Sequence, residues 1–393
     1  MHTQTKGDLY IPLSPSPRSL TERIESVHAV IASRYPGLDR VAIAIYDSAT
    51  DLLKTFASST KDAPPLLGHE ARLQDVPSLL ALAASRQSRL VRDIDQTFAA
   101  DTVHTRWLKE RRFRSSYTVP VYQGDALAAF LFFDSRQVDC FDAESTQFLD
   151  VFADLIAQLY LLQLRVVRSL VGTVHVASGL ARVRDVETGQ HLERMAAYAR
   201  LMARALAADY GLPDEFVEYV HLFAPLHDIG KVGIPDRVLL KPDRLNDEEW
   251  AIMRRHVEIG EGLIDQIVAD LGLSDGLALQ VMRNVVAGHH ERGDGSGYPR
   301  GLLMADIALE ARIVAVADVY DALANQRPYK PAWNEADIVA ELHREVTAGR
   351  LDEACVAALL AASAEREEIK QHFADSKNGY KGWIGTSIQG GGG

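Results

Sequence analysis

Hydrophobic positions divide the first part of the chain into one helix and several short strands. Apolar residues recur every three or four positions from 20 to about 35, which predicts an amphipathic helix. The apolar run at 41–46 ends at Asp47 and predicts a buried strand. Two further apolar runs, 117–122 and 126–133, flank a Gln-Gly-Asp turn and predict a β-hairpin.

The elements up to residue 147 together predict an α+β domain. Residues 60–115 are polar and favour helices, so the order is helix, strand, central helical segment, hairpin and closing helix. This order resembles that of GAF-type sensor domains, which implies a GAF-like domain over 19–147 that binds an unidentified small ligand or none. Residues 1–18 contain three prolines among serines and predict a flexible arm.

A linker helix is predicted over 148–184. Its first part has apolar residues spaced alternately by four and three positions, as at the a and d positions of a coiled coil. They are Phe148, Phe152, Leu155, Leu159, Leu162 and Val166. Two interpretations stay open for this stripe: an ordinary helix that buries it in a core, or a parallel homodimer through 148–166 that transmits the state of the sensor domain.

Beyond residue 185 the strand patterns disappear and helical periodicity dominates. The predicted fold class is therefore multidomain, with an N-terminal α+β GAF-like domain, a linker helix and a C-terminal all-α domain over 185–376. The last segment, 377–393, ends in four glycines and predicts a flexible tail.

Composition and charge exclude several classes of protein. Apolar residues make up 47% and charged residues 24%, which is typical of a folded globular chain. The net charge of −12 argues against binding a nucleic-acid polymer, which needs a basic surface. No apolar run has the length of a membrane span or a signal sequence. Cys140 and Cys355 lie far apart in the sequence, which favours a reducing, cytoplasmic compartment.

Histidines and acidic residues in the second half of the chain have spacings suited to metal binding. Glu187 and His191 are four positions apart and therefore share one face of a helix. Asp318 lies within an apolar run, where a carboxylate needs a partner. Taken singly, each residue has an ordinary alternative: a solvated face for Glu187, a chance dipeptide for His227-Asp228, and a core position for a lone histidine.

The same residues belong to longer sequence motifs. These are Glu187-Thr-Gly-Gln-His191, His227-Asp-Ile-Gly-Lys231-Val-Gly-Ile-Pro235, His256-Val-Glu-Ile-Gly260, His289-His-Glu-Arg-Gly-Asp-Gly-Ser-Gly-Tyr-Pro299, and Val316-Ala-Asp318-Val-Tyr-Asp321 followed by Arg327-Pro-Tyr-Lys330. Over roughly 170–365 they resemble the HD-GYP family of phosphodiesterases, a branch of the HD superfamily. The resemblance implies a helical domain with two or three divalent metal ions. It also implies hydrolysis of cyclic di-GMP, a second messenger, to linear pGpG and often to GMP.

The resemblance further implies a role for each matching residue. The metal ligands would be Glu187, His191, His227, Asp228, His256, His289, His290 and Asp318. Asp228 would bridge two metals, and Asp228 and Lys231 would be catalytic. The residues near the substrate would be Lys231, Tyr298, Asp321, Arg327 and Lys330.

The residue types suit this chemistry on independent grounds. Imidazole and carboxylate ligands without thiolates suit iron or manganese, with nickel and zinc as further options. A hydroxide that bridges two such ions is a nucleophile near neutral pH, while Lys231 and Arg327 can neutralise phosphate oxygens. Glu187 is surplus to a two-metal centre. It therefore either recruits a third metal or accepts a hydrogen bond from a ligand histidine.

The glycine-rich loop at 293–301 either closes a tight turn or rims the metal pocket and contacts substrate or a partner protein. Gly293 stands where the family usually has a bulky aromatic residue. Two alternative functions stay open: a non-catalytic receptor or adaptor for the dinucleotide, and a phosphodiesterase for a different cyclic dinucleotide. The complete set of ligand positions favours an enzyme, whereas no motif separates guanine from adenine recognition.

Overall fold

The computed structural model describes residues 19–48, 50–62, 66, 68–98, 103–182, 189–270, 276–325 and 332–373, with the backbone alone over 163–171 and 173–182. The arm predicted at 1–18 and the tail predicted at 377–393 lie outside the described residues. What is described comprises an N-terminal domain built on one β-sheet and a C-terminal helical domain. The predicted fold class is confirmed.

The N-terminal domain is a six-stranded antiparallel sheet in the order β3-β2-β1-β6-β5-β4. Its strands are β1 (Arg40–Asp47), β2 (Leu52–Thr60), β3 (Glu70–Arg72), β4 (Arg89–Val91), β5 (Ser115–Gln123) and β6 (Ala126–Ser135). The predicted strand at 41–46 and the predicted hairpin correspond to β1 and to β5–β6, whose turn has Gly124 at a φ of +62°. The sequence analysis assigned no element to β2, whose apolar and polar residues do not alternate strictly. It also missed β3 and β4, because three-residue edge strands are too short to show an alternation.

Helices cover both faces of this sheet. They are α1 (Leu20–Arg34), α2 (Pro77–Ser85), α3 (Ile94–Thr97), α4 (Val103–Glu110) and α5 (Ala143–Arg182). One face packs on α1 and the first half of α5, where Ile24 and Ile156 are fully buried against Phe133. The other face carries α2, whose Leu79 packs with Phe132. The result is a helix–sheet–helix sandwich.

Helix α5 begins at Ala143, so the boundary predicted at 148 falls inside it. Its first half belongs to the core of the N-terminal domain, since Ile156 and Tyr160 are buried. The predicted heptad stripe is divided between two environments. Phe148, Phe152 and Leu159 pack partly against this core, whereas Leu155 is 46% and Leu162 is 60% exposed. The side chain of Val166 lies outside the described residues. The homodimer therefore stays a prediction, with an exposed apolar stripe to support it.

The C-terminal domain is helical throughout its described residues. Its helices are α6 (Gly189–Tyr210), α7 (Asp214–Phe223), α8 (Asp236–Leu239), α9 (Asp247–Arg254), α10 (His256–Asp270), α11 (Leu277–Gly288), α12 (Leu309–Ala324), α13 (Glu335–Thr347), α14 (Glu353–Ala361) and α15 (Ser363–His372). One continuous core joins α6, α7, α11, α12 and α14. Among the described helices, none has both the length and the apolarity needed to cross a bilayer.

Two glycines let a short turn approach α10 very closely. The turn is a 3₁₀ helix at Ile229–Gly233, which directly follows His227 and Asp228. A Cβ atom on Gly230 would lie 1.8 Å from the carbonyl oxygen of His256 and 2.5 Å from the amide nitrogen of Gly260. Only glycine fits this contact, which fixes residues 227–231 against the start of α10.

We expect Gly230→Ala to destabilise the folded protein, because the new methyl group meets backbone atoms that have no room to move. Overpacking of this kind costs about 1–3 kcal/mol or more, which lowers Tm by several degrees. Gly262→Ala on the same α10 is the matched control, since a Cβ there meets no atom within 4 Å. It should raise stability by about 0.5–1 kcal/mol through helix propensity. Thermal unfolding of the two variants measures the change in Tm. Equal changes in Tm for Gly230→Ala and Gly262→Ala would contradict this prediction.

Candidate metal centre

Five separate elements bring histidines and acidic residues together at one end of the helical domain. His191 lies in the first turn of α6, and His227 and Asp228 lie between two 3₁₀ turns that follow α7. His256 begins α10, His289 and His290 follow the end of α11, and Asp318 lies in α12. Residues that are up to 127 positions apart therefore meet at one site, which the fold alone can arrange.

The described side chains form two groups with ligand spacing. In the first group, Asp228, His256, His289 and His290 each place one ligand atom within 4.8 Å of the others. In the second group, His191, His227 and Asp318 do the same. These are the groups expected from the sequence, apart from Glu187, which lies outside the described residues.

Asp228 lies between the two groups and directs one carboxylate oxygen toward each. Its Oδ1 is 3.1 Å from Nε2 of His256 and 3.7 Å from Nε2 of His289. Its Oδ2 is 3.1 Å from Nε2 of His227. On the far side of the second group, Asp318 Oδ1 is 3.7 Å from Nε2 of His191. This position suits a carboxylate that bridges two ions.

Hydrogen bonds at Nδ1 fix the orientation and tautomer of four histidines. The acceptors are Ala224 O for His227 (2.9 Å), Met253 O for His256 (2.8 Å), Val286 O for His289 (3.0 Å) and Asp321 Oδ2 for His191 (2.6 Å). Because carbonyl and carboxylate oxygens accept, Nδ1 carries the proton and Nε2 presents a lone pair. These lone pairs face the oxygens of Asp228 and Asp318, an arrangement that is repulsive by itself and that a cation stabilises. The residues therefore fit bound divalent metals.

The electrostatics of the site keep its groups in ligand form. Burial alone would raise the pKa of Asp228, but the Lys231 ammonium holds this pKa well below its ordinary value. Lys231 Nζ lies 2.8 Å from Asp228 Oδ2. Burial lowers the pKa of His289 and of His290, so both imidazoles stay neutral and able to coordinate.

Asp321 lies behind His191 and contacts its ring. It is 2% exposed and accepts hydrogen bonds from His191 Nδ1 at 2.6 Å and from Arg194 Nε at 2.8 Å. Through this contact it orients His191 and supports its basicity, as carboxylates behind metal-bound histidines do. The substrate-contacting role expected for Asp321 stays a prediction. Arg194 was missed, although it is one helical turn from His191 in the sequence.

Tyr298 forms an aromatic wall beside the first group. Its ring centroid is 4.6 Å from that of His290, and the guanidinium of Arg254 lies 5.3 Å from the same tyrosine ring. The loop that carries Tyr298 is held by Glu291, which accepts hydrogen bonds from the backbone of Arg300 and Leu302 at 2.7 and 2.9 Å. Sequence reasoning found Tyr298 but missed Arg254, because only the folded loop brings the two together.

Glycines explain the shape of this loop. A Cβ on Gly297 would lie 2.2 Å from the backbone nitrogen of Arg292, so the Gly-Tyr-Pro motif needs its glycine for close packing. Gly293, the departure from the family pattern, would place a Cβ 2.2 Å from Met304 Cε and 2.6 Å from Gly349 O. Met304 and the neighbouring backbone thus occupy the space next to Gly293, and an aromatic side chain has no room there.

Three residues expected at the site, Glu187, Arg327 and Lys330, lie outside the described residues. Of the substrate residues expected from the sequence, Lys231 and Tyr298 lie beside the ligand groups.

Comparison with known proteins supports both domains. The GAF domain family matches residues 21–159, and the HD domain family matches residues 180–355. The cyclic di-GMP phosphodiesterase response regulator RpfG of Xanthomonas campestris is 46% identical over 200 residues, which is 50% of this chain and 50% of RpfG. A cyclic di-GMP phosphodiesterase of Vibrio cholerae is 42% identical over 51% of this chain and 41% of its own length.

A third relative, the 3'3'-cGAMP-specific phosphodiesterase 2 of Vibrio cholerae, is 40% identical over 43% of this chain and 30% of its own length. The chain therefore spans half or less of the length of these curated relatives. The two domain matches agree with the two folded units and with the motifs read from the sequence. The chain therefore combines a GAF domain with an HD domain, and the HD domain is similar in sequence to the phosphodiesterases described above.

Proposed function

We propose that this protein hydrolyses cyclic di-GMP with divalent metals held by its HD domain. The observation that carries the proposal is the position of Asp228, whose two oxygens face two groups of ligand atoms. Two adjacent metals, when bound, lower the pKa of water and neutralise the charge that develops on a phosphate. Two of the relatives described above are named cyclic di-GMP phosphodiesterases, which supports this substrate class.

Side chains around the metal centre would bind the phosphates and the bases or riboses of the substrate. Lys231, 2.8 Å from Asp228 Oδ2, can donate hydrogen bonds to a phosphate oxygen and offset its charge. Arg327 and Lys330 are proposed to bind the substrate phosphates, on the resemblance of their motif alone. Tyr298 offers a ring surface against which a purine base or ribose can pack. The product would be linear pGpG, with GMP following from a second cleavage.

Asp228→Ala is expected to abolish turnover of cyclic di-GMP, because it removes the carboxylate shared by both groups. The loss should exceed about 100-fold, measured by chromatography of pGpG and GMP with metal in excess. Asp265→Ala is the matched control, since Asp265 is an exposed carboxylate that pairs with Arg283 on the surface. Normal rates in Asp228→Ala would overturn the proposed mechanism. Binding of the dinucleotide by wild-type protein without any turnover would instead favour a receptor.

A second substrate has specific support. The relative named as a 3'3'-cGAMP-specific phosphodiesterase is almost as similar to this chain as the cyclic di-GMP enzymes. The same assay run with 3'3'-cGAMP distinguishes the two, because the preferred substrate is the one with the higher kcat/KM.

We also propose that the metals are iron or manganese, with nickel or zinc as alternatives, and that Glu187 recruits a third ion. The nitrogen and oxygen ligands, without thiolates, support this choice. The two described groups together account for two ions, so the carboxylate of Glu187, four positions before His191 in the sequence, is proposed for a third.

If Glu187 recruits a third ion, the metal content should be near three per chain in wild-type protein and near two in Glu187→Ala. Elemental analysis after anaerobic loading with Fe²⁺ or Mn²⁺ provides the measurement. Because Glu187 would ligate only the additional ion, the two remaining ions should stay bound in the variant. Two ions per chain in both proteins would show that Glu187 acts behind a ligand instead.

We propose that a second copy of the chain covers the exposed stripe on α5, and that a partner protein can contact the loop at 293–301. The stripe presents Leu155 and Leu162 at 46% and 60% exposure, one heptad apart, as two parallel helices bury between them. A cytoplasmic location completes the proposal and is supported by two cysteines that form no disulfide.

The dimer predicts that Leu155→Glu combined with Leu162→Glu yields monomers, since charged residues at these positions repel across a parallel interface. Light scattering coupled to size-exclusion chromatography measures the mass. Val138→Glu is a control outside α5, where an apolar side chain is also 50% exposed. A wild-type monomer would refute the dimer, and an unchanged dimer in the double variant would place the interface elsewhere.

A further inference from the structure

The GAF domain contacts the HD domain at the start of α7, where three acidic side chains are buried. Asp214, Glu215 and Glu218 are 6%, 0% and 7% exposed. Three buried carboxylates within five residues are costly unless each has a partner. All three have partners in the GAF domain, and we call these three residues the α7 acid cluster.

Glu215 caps a helix of the other domain. Its carboxylate accepts hydrogen bonds from the backbone nitrogens of Leu20 and Thr21, at 3.2 and 2.7 Å, and from the hydroxyl of Thr21 at 2.8 Å. The next amide of α1, that of Glu22, is capped locally by Ser19. A carboxylate at a helix N-terminus also interacts favourably with the helix dipole. The start of α1 is therefore completed by a residue of the HD domain.

Glu218 and Asp214 extend the interface over the edge of the sheet. Glu218 lies 3.4 Å from Lys54 Nζ on β2 and 3.0 Å from Arg200 Nε on α6. Asp214 accepts a hydrogen bond from the backbone nitrogen of Gly68 at 2.8 Å. Both domains contribute cations and anions, so their surfaces are electrostatically complementary.

A second set of ion pairs joins β3 to α6. Glu70 pairs with Arg200 and, at 2.9 Å, with Arg204. Apolar contact accompanies these pairs, since the rings of Phe56 on β2 and Tyr219 on α7 meet edge to face with centroids 6.5 Å apart.

The helices that receive the GAF domain also carry metal ligands. Helix α6 bears Arg200 and Arg204 and, three turns earlier, His191. Helix α7 starts with the α7 acid cluster and leads through a single 3₁₀ turn to His227 and Asp228. A helix moves as a stiff unit, so a displacement at the interface is transmitted to these ligands. Helix α5, which leaves the GAF domain, also packs against the turn Ile229–Gly233 that follows Asp228.

We infer that the α7 acid cluster is the docking surface through which the GAF domain sets the geometry of the metal centre. In the docked arrangement the ligands of both groups converge. Undocking would release α6 and α7 from the position that holds His191, His227 and Asp228 together, and it would therefore weaken metal binding. This inference rests on the metal chemistry proposed above.

Two variants of the full chain test the inference without altering a metal ligand. Glu215→Ala removes the cap from α1, and Lys54→Met removes the GAF-domain cation beside Glu218 while keeping a side chain of similar length. The matched control is Arg86→Met, which breaks an ion pair with Asp125 inside the GAF domain at positions 52% and 97% exposed. In Lys54→Met, which keeps Glu215, exchange of the amide hydrogens of Leu20 and Thr21 reports whether the domains separate. In both variants the amide hydrogen of Gly68, which donates to Asp214, reports the same separation. Competition with a chelator gives the Kd for Mn²⁺.

In both variants we expect faster exchange at Gly68 and a Kd for Mn²⁺ raised by about 5- to 150-fold, the usual range of coupling between sites. In Lys54→Met we also expect faster exchange at Leu20 and Thr21. Arg86→Met should change neither. Faster exchange with an unchanged or a lowered Kd would overturn the inference while leaving the proposed function intact. A wild-type chain that binds no Mn²⁺ would instead overturn the proposed function and this inference together. Unchanged exchange of the amide hydrogen of Leu131, in the centre of the sheet, shows that a variant is folded. If Glu215→Ala unfolds, the Kd for Mn²⁺ of Lys54→Met tests the inference alone.

Discussion

The carboxylate of Asp228 lies between two groups of imidazole nitrogens, and the architecture of the helical domain follows from the need to hold it there. A buried carboxylate that faces nitrogen lone pairs is stable only when cations are present. Lys231 supplies one such charge at 2.8 Å, and the bound metals would supply the others. The protein meets this constraint by fixing the ligands from behind, with backbone carbonyls for His227, His256 and His289 and with Asp321 for His191.

Close contacts between backbone segments hold the ligand histidines and Asp228 in position. Gly230 lets the turn after Asp228 lie directly on α10, and Gly297 lets the loop that carries Tyr298 fold against Arg292. At both positions a single methyl group would overlap backbone atoms, so the glycines are needed for lack of space rather than for an unusual φ. Gly293 shows how the same loop tolerates a departure from its family, because Met304 lies in the space beside it.

The two domains are parts of one electrostatic arrangement rather than units joined only by a helix. Helix α5 provides a covalent connection, and the contact of Glu215 with the start of α1 provides a second, non-covalent one. Since the receiving helices α6 and α7 also position His191, His227 and Asp228, the sheet domain and the metal site share structural elements. A GAF domain whose first helix is completed by a residue of the HD domain is well placed to transmit a structural change between the two domains.

The sequence by itself determined the domain order, the helical class of the second domain and seven ligand positions that the structure brings together, because hydrophobic period and local motifs are encoded over short distances. It could not reveal the contacts of Asp321, which is buried and accepts hydrogen bonds from His191 and Arg194. Nor did it reveal β2, whose residues do not alternate strictly, or β3 and β4, which are too short to show a pattern. It also could not reveal the partners that Glu215 and Glu218 have in the GAF domain. Those partners are supplied by residues more than 160 positions away, and only tertiary structure decides which distant charges meet.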